Sequence, residues 1–513
     1  MKLASHREIN HSITGNPPYL GTYDVIVIGA GIVGAMIARE LTRYEGRVAL
    51  LEKESFSGCG VSKANLCMLH SPLMFQSGPL RIKLMHNAGI RYKKLANELD
   101  VVFREVDEIF VAFDASQLLR WENARNWAIE NKVSAGHELI SAEKLRELEP
   151  HVSRRIIGAL YGKGVGAIHA PEWTFALTEN AVANGLSLYL RTPVMDIWKQ
   201  KDFAYMVKIP RGYFKTKYII NAGGLFADEI AGMVGDRDIH LTISKGTMAI
   251  LDKSVSHLVR SMVYGTFSMD LSQMISPTAH GNILIGVGTF TKAEHKRDTK
   301  VDRERLKEII DLAKELVPAV SEKDVITSFS GIRSMNNKAP QGDFYIDHSD
   351  HAAGVIHAVI GSPGLTAAPA IAELIIEKLA DAGMVVKEKK DFEKRRNAWP
   401  RFATASFAER EHMISLNPEY GHIICRCEQV TKGEIIEAIR RGADTLDAVK
   451  HMTRAGMGRC QGGFCGISTL RLLADQLGIL PSQVTMRGDG SAQIVGFTKE
   501  KARGVKAGQS ESH

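Results

Sequence analysis

Several short stretches of this chain carry residue types that can do chemistry at the spacing found. The first is Gly29-Ala30-Gly31-Ile32-Val33-Gly34, a Gly-x-Gly-x-x-Gly pattern that directly follows Val25-Ile26-Val27-Ile28. Gly29 permits a tight turn, Gly31 lets the backbone approach a pyrophosphate, and Gly34 lets a helix pack closely on the strand. The amides at the helix start then stabilise the phosphate charge. A second apolar run, Arg47-Val48-Ala49-Leu50-Leu51, ends in Glu52, the spacing of a carboxylate that holds a ribose hydroxyl pair. Strand, turn, helix, strand and acid in that order predict a dinucleotide site.

The second constellation is at the other end of the chain. Cys425-Arg426-Cys427 is followed at a distance by Cys460-Gln461-Gly462-Gly463-Phe464-Cys465. The chain has six cysteines, and these four fall in one region, which in a reducing compartment points to metal rather than disulfide. Two close thiol pairs brought together by a short helical fold can hold either zinc or a [2Fe–2S] cluster. The residue types leave both open. Cys59 and Cys67 have no such pattern and read as small buried hydrophobes.

The elements that must position these groups follow from periodicity. Ile32, Val33, Met36, Ile37 and Leu41 recur at helical spacing, so the glycines sit on a strand-to-helix turn. Ser57 to Asn65 is a small-residue loop able to lie along a cofactor. A helical stretch runs to Leu95, Asp107 to Phe113 reads as a strand, and residues 115–149 read as helical. A helix spans Glu172 to Ala183, with a strand at Leu188 to Leu190 and its exit at Pro193 to Met195. Tyr218 to Ala222 is another buried strand running into Gly223-Gly224; it lacks the full glycine pattern, which argues against a separate nicotinamide domain. A helix is expected from Arg303 to Leu316, a strand from Gly354 to Ile360, and a helix from Ala367 to Ala380, opened by Gly361-Ser362-Pro363-Gly364-Leu365-Thr366. Lys432 to Arg441 is helical.

The bulk composition agrees. With 513 residues, 44% of them hydrophobic and 24% charged, the chain is long enough for several cores of an α/β enzyme. The net charge of +7 is spread along the chain, and no nucleic-acid module is present. The first 22 residues are polar and carry Pro17-Pro18, without the apolar centre of a signal peptide. The expectation is a cytoplasmic protein, peripheral on the inner membrane face where a partner holds it.

Cys-x-Cys followed by Gly456-Met457-Gly458-Arg459-Cys460-Gln461-Gly462-x-x-Cys465 resembles the bacterioferredoxin-associated-ferredoxin-like [2Fe–2S] domain, which ends the large subunit of anaerobic glycerol-3-phosphate dehydrogenases. The resemblance makes Cys425, Cys427, Cys460 and Cys465 the cluster ligands. The rest of the chain resembles the same enzymes and, more widely, the D-amino-acid-oxidase-like FAD superfamily. The matching stretches are Gly29 to Gly34 with Glu52, Ser62-Lys63-Ala64-Asn65, Asn221-Ala222-Gly223-Gly224, Gly331-Ile332-Arg333 and Ser362 to Pro369. It implies non-covalent FAD held by Gly29, Gly31, Ile32, Gly34, Glu52, Lys53, Ser62, Lys63, Asn65, Val194, Ala222, Gly223, Gly331, Gly364, Leu365 and Thr366. The fold class is α/β: a Rossmann-like FAD-binding domain with an inserted α+β substrate domain, followed by a small helical [2Fe–2S] domain. The boundaries are a flexible N-terminus over 1–22, the oxidoreductase over 23–385, a linker over 386–419, the cluster domain over 420–485 and a tail over 486–513. Within the oxidoreductase, 23–75, 150–243 and 327–385 bind FAD, while 76–149 and 244–326 form the substrate domain.

The implied reaction is oxidation of a small anionic 2-hydroxy compound, glycerol 3-phosphate first. Such a reaction needs a base, a hydride acceptor and a fixed cation. Arg333 is the candidate cation, His70 the candidate base, and Ser71 and Lys245 candidate substrate contacts. Many relatives carry His-Ala-Gly or His-Gly-Gly where this chain has His70-Ser71-Pro72. The same scaffold also serves L-2-hydroxyglutarate and amino-acid oxidation, and a third expectation is an electron-transfer subunit. The cluster implies delivery of electrons to a second redox subunit.

Overall fold

The computed structural model describes residues 18–75, 77–133, 136–200, 204–268 and 270–496. The chain divides into two compact units, a larger one ending at Ala398 and a smaller one beginning at Trp399.

The larger unit is organised around β1 (Tyr19–Ile28), α1 (Ile32–Leu41) and β2 (Val48–Leu51). Val25, Ile26 and Val27 are wholly buried, as a continuous apolar run must be when both faces of a strand are covered. β1 lies between β2 and β3 (Gly212–Asn221), parallel to both. Outside β3 runs another parallel strand, Val355–Val359, and outside β2 runs Ser187–Tyr189. Helices α1, Ala170–Ala183 and Gly364–Asp381 bury their apolar residues in one core on this sheet. Sheet order and crossovers are those of a Rossmann-like domain.

A second, nine-stranded and mostly antiparallel sheet carries β4 (Leu241–Leu251) and β5 (Val325–Asn336) at one edge. The strands Ile283–Lys292, Leu271–Pro277, Met262–Phe267, Phe103–Ala112 and Gly158–Ile168 follow. Helix Arg303–Leu316 covers it with Ile309, Ile310, Ala313 and Leu316.

The structure alters several expected elements. Residues 115–149 are not one helical stretch: a helix, Ala115–Glu130, gives way to a strand, His137–Ser141, and a second helix, Ala142–Leu148. The strand forms because Gly158–Ile168 offers it a free edge. The helical stretch before Leu95 breaks at Asn87, whose φ of 57° no helix interior accommodates. The second sheet also takes Gly158–Ile168 and most of Val325–Asn336 from segments that the sequence assigns to the FAD-binding part. Nor is 386–419 a plain linker. Arg396 pairs with Glu179 in the larger unit, whereas Phe407–Leu416 is a helix of the smaller one, capped by Ser406 and Glu409. At the N-terminus, Tyr19 to Thr22 already belong to β1, while 1–17 and 497–513 lie outside the described residues.

The smaller unit packs helices Lys432–Arg440, Leu446–Thr453 and Gly466–Leu477 beside a two-stranded ribbon, Ile423–Cys425 with Val430–Thr431.

Candidate active site and cysteine cluster

The glycine turn has the shape its residues foretell. Gly29 takes φ +103°, and a Cβ there would meet the carbonyl of Ala222 at 2.4 Å. A Cβ on Gly34 would lie 1.9 Å from the Gly29 carbonyl, so helix and strand touch only because both positions are glycine. Gly31 caps α1 without a side chain, and the next amide, Ile32 N–H, donates to Ser62 Oγ at 2.9 Å. The small-residue loop is thereby drawn over the helix N-terminus.

Glu52 is held at the end of β2. Its carboxylate accepts Ala30 N–H at 2.7 Å and Glu54 N–H at 2.9 Å, and burial pushes its pKa up despite these bonds. The chain returning from Ser187–Tyr189 runs alongside, with Thr192 N–H donating to Glu52 O, which brings Val194 to the same corner. Lys53 lies over the Phe226 ring at 3.1 Å, next to the Ala222-Gly223 turn. Gly223 N–H is fixed by Asn221 Oδ1, part of a buried chain running from Asn221 through His357 to Asp236. Lys63 Nζ lies 3.6 Å from Cys59 Sγ, and Asn65 stabilises its own turn through Ser62 O and Cys67 N. A Cβ on Gly331 would strike Ala64 O at 2.1 Å, so the second sheet approaches this loop through glycine as well. Gly364, Leu365 and Thr366 open the long helix; Thr366 Oγ1 accepts His70 N–H at 3.0 Å, and Leu365 O accepts from Tyr92.

The residues nominated for substrate chemistry separate by strand parity. Gly331 and Arg333 share one face of β5, Ile332 and Ser334 the other. Arg333 therefore projects from the face that approaches the cofactor loop, with its guanidinium 3.8 Å from the centre of the Phe290 ring. Its pKa is lowered by desolvation, opposed by Asp270 and assisted by the nearby charge of Arg81. Lys245 stands opposite Ile332, hence on the other face, where its ammonium meets Asp298 at 3.0 Å and Asp302 at 3.7 Å. The expected substrate contact by Lys245 is corrected by this register: its charge serves an internal ion pair.

His70 is half-buried, and burial lowers its pKa to about 4, with Glu108 acting in the opposite sense. Its Nδ1 lies 3.2 Å from the hydroxyl of Tyr264, and Tyr264 itself donates to Met262 Sδ at 3.7 Å. Phe75 packs edge-on against the imidazole, and Arg81 lies 4.6 Å above Phe75. Ser71 Oγ is buried with no hydrogen-bond partner among the described residues, and the same holds for Ser244 Oγ, directly opposite Arg333. Unspent hydroxyls of this kind fit a polar ligand. Tyr264, Arg81, Glu108 and Ser244 carry no local sequence signal; strand pairing brings Tyr264, Glu108 and Ser244 here, and the short helix Pro79–Met85, tied to Asp343, brings Arg81.

In the smaller unit, Cys427 Sγ and Cys460 Sγ lie 3.9 Å apart, and Gly456 N–H points at Cys425 Sγ at 3.5 Å. A hydrogen bond from Cys465 holds the Cys425 thiol down to about 6, while Cys465 is pushed up. A Cβ on Gly458 would come 2.2 Å from Cys427 Cβ, so glycine is required for the two thiol segments to meet. Cys425 and Cys465 are buried, Cys427 and Cys460 exposed.

Residues 24–378 match the family model for FAD dependent oxidoreductases. The chain belongs to that family. This FAD-dependent oxidoreductase also matches the BFD-like [2Fe-2S] binding domain over residues 423–475. It is 37% identical over 485 residues to a glycerol 3-phosphate dehydrogenase of Caloramator mitchellensis, covering 94% of this chain and all of the relative. It is 25% identical to anaerobic glycerol-3-phosphate dehydrogenase subunit A1 of Haloferax volcanii, over 86% of this chain and 81% of that one. Among solved structures, the dithionite-reduced L-alpha-glycerophosphate oxidase of Mycoplasma pneumoniae with FAD bound superposes with a TM-score of 0.69 at 25% identity, covering 74% of this chain and all of that one. The oxidoreductase is thus a glycerol-3-phosphate dehydrogenase-like flavoenzyme with FAD and a [2Fe–2S] cluster as cofactors. The glycine cradle and the convergent thiols fit both groups. Among the described residues, no helix is long and apolar enough to cross a membrane.

Proposed function

We propose that this enzyme oxidises the secondary hydroxyl of sn-glycerol 3-phosphate to the ketone of dihydroxyacetone phosphate and passes the electrons through its cluster to a second redox subunit. What supports the reading is an imidazole kept neutral by burial, His70, packed on Phe75, with Arg81 over the same ring and Arg333 close enough to feel the Arg81 charge. An alcohol with a phosphate one carbon away needs both groups. His70 accepts the hydroxyl proton at Nε2, because Tyr264 occupies Nδ1. Arg333, stacked on Phe290, meets the phosphate with its planar fork, and the Ser244 hydroxyl adds a donor beside it. Bound FAD supplies the acceptor for the hydride that leaves the same carbon. Glu108, buried nearby, favours the imidazolium that results.

The test is anaerobic mixing of holoenzyme with glycerol 3-phosphate, L-2-hydroxyglutarate and a set of amino acids, with flavin absorbance followed. Bleaching by glycerol 3-phosphate alone is expected. Faster bleaching by either of the other classes would overturn the assignment. A relative named as subunit A1 of an anaerobic dehydrogenase supports the hetero-oligomeric part of the reading. Co-purification of a redox subunit from the native host tests it.

A further inference from the structure

His169, Glu172 and His280 form a second constellation, remote in sequence from both cofactor motifs. Helix Ala170–Ala183 begins with His169 at its cap and Glu172 in its first turn, three residues apart and so on one face. His280 sits in the turn between Leu271–Pro277 and Ile283–Lys292, where Gly281 has φ +87°. Glu172 Oε2 lies 2.9 Å from His280 Nε2 and 3.8 Å from His169 Nδ1, and all three donor atoms fall within 4.8 Å of one another. The two imidazole rings stand 79° apart with centroids 5.6 Å from each other, each offering one nitrogen to the same point.

We propose that these three side chains bind one divalent first-row transition ion of the zinc class. Two imidazole nitrogens and one carboxylate oxygen are its donor set, with solvent completing the shell; the harder magnesium and calcium ions prefer all-oxygen sites. Bonds of about 2.0–2.1 Å in a tetrahedral shell put donors roughly 3.4 Å apart. Two of the three separations, 2.9 and 3.8 Å, bracket that value and the third is within 4.8 Å, so the rings need close by no more than about 1.4 Å.

The surroundings already hold the ligands in place. Glu172 Oε1 accepts Val102 N–H at 3.4 Å, and the neighbouring Trp173 Nε1 donates to Val102 O at 3.0 Å. The turn bearing His280 is held by Arg104, which donates to Thr278 O at 3.2 Å, and by Asn282, which donates to Leu251 O at 2.9 Å. Such outer bonds orient metal ligands in advance. A helix N-terminus disfavours a cation, but Glu172, only 4% exposed, supplies the opposing charge at that point. The ion would join a helix packed on the FAD-binding sheet to a hairpin of the second sheet. The pair it spans, Glu172 and His280, is 108 residues apart in sequence.

The experiment titrates full-length holoenzyme with zinc chloride, then measures metal content after gel filtration and the zinc K-edge fine structure. About one zinc per chain is expected beyond the cluster iron, with a nitrogen and oxygen shell, imidazole outer scattering and no sulfur near 2.3 Å. His280→Ala should lose that zinc while retaining FAD and iron. Glu172→Gln, which keeps the size and one acceptor but removes the charge, should weaken binding at least tenfold. Zinc should raise the unfolding temperature of the unmodified protein and leave that of His280→Ala unmoved. A sulfur shell, equal zinc uptake by His280→Ala, or no retained zinc would each overturn the proposal.

Discussion

The hydroxyl of Tyr264 lies 3.2 Å from Nδ1 of His70 and gives its own hydrogen to Met262 Sδ. With Nδ1 engaged by that hydroxyl, Nε2 is the nitrogen that the proposed reaction uses as its base. The hydroxyl is deeply buried, and burial holds its pKa well above the usual tyrosine value, so it serves as a fixed dipole and not as an acid. Tyr264→Phe removes the hydrogen-bond partner of Nδ1 while leaving the ring stacked on Phe110. The expected result is a kcat about tenfold lower with KM little changed. A fall in KM affinity alone would assign Tyr264 to substrate binding instead.

His70 has its folded pKa lowered, to about 4, because burial disfavours the charged ring. Between that value and an unfolded pKa of about 6.5, the unfolded chain binds a proton that the folded chain does not. Stability should thus fall as pH drops through that window. His70→Gln should flatten this dependence, measured as urea midpoints at pH 7 and pH 5. The same variant should lose about 10²–10⁴-fold in flavin reduction by substrate. Identical midpoint shifts in both proteins would show that His70 does not carry the pH dependence.

Arg333→Lys should cost about 3 kcal/mol, roughly a hundredfold in kcat/KM, since an ammonium cannot reproduce the planar fork or its stacking on Phe290. Lys245→Met, on the opposite face, should lower stability by stranding Asp298 but leave substrate KM unchanged. Equal losses of KM in the two variants would contradict the assignment by strand parity.

Gly31→Val should abolish FAD retention, read from the absorbance ratio of purified protein. A Cβ at this position already stands 3.3 Å from Ser62 Oγ, and the added methyls would fill the approach to the helix N-terminus. Full yellow colour in the variant would displace the site.

Protein prepared without oxygen should hold about two irons and two sulfides per chain. Gly458→Ala should lower both without altering flavin content, because its Cβ would collide with Cys427 Cβ at 2.2 Å. Cys460→Ser should stop electron delivery to the physiological acceptor while substrate still bleaches the flavin. Full iron content in Gly458→Ala would show that Cys427 shifts without loss of the cluster.

The amino-acid sequence by itself determined the groups whose chemistry is local. A Gly-x-Gly-x-x-Gly turn between an apolar strand and an amphipathic helix needs only neighbouring residues to declare itself, and so do the paired cysteines with their glycines. Pattern could not choose between zinc and iron–sulfur, because tetrahedral thiolates serve both; the family match made that choice. Tertiary structure alone decided the rest. Lys245 adjoins Gly246 and Arg333 lies two residues from Gly331, and only the β4–β5 register shows that they face opposite ways. The strand His137–Ser141 lay hidden among helix-favouring residues because its stability comes from an edge supplied by Gly158–Ile168. Tyr264 meets His70 across 194 positions of chain, a distance over which no spacing rule operates. Period and turn chemistry act over a few residues, whereas strand pairing joins residues without regard to their separation, and that is why the cradle was legible and the pocket was not.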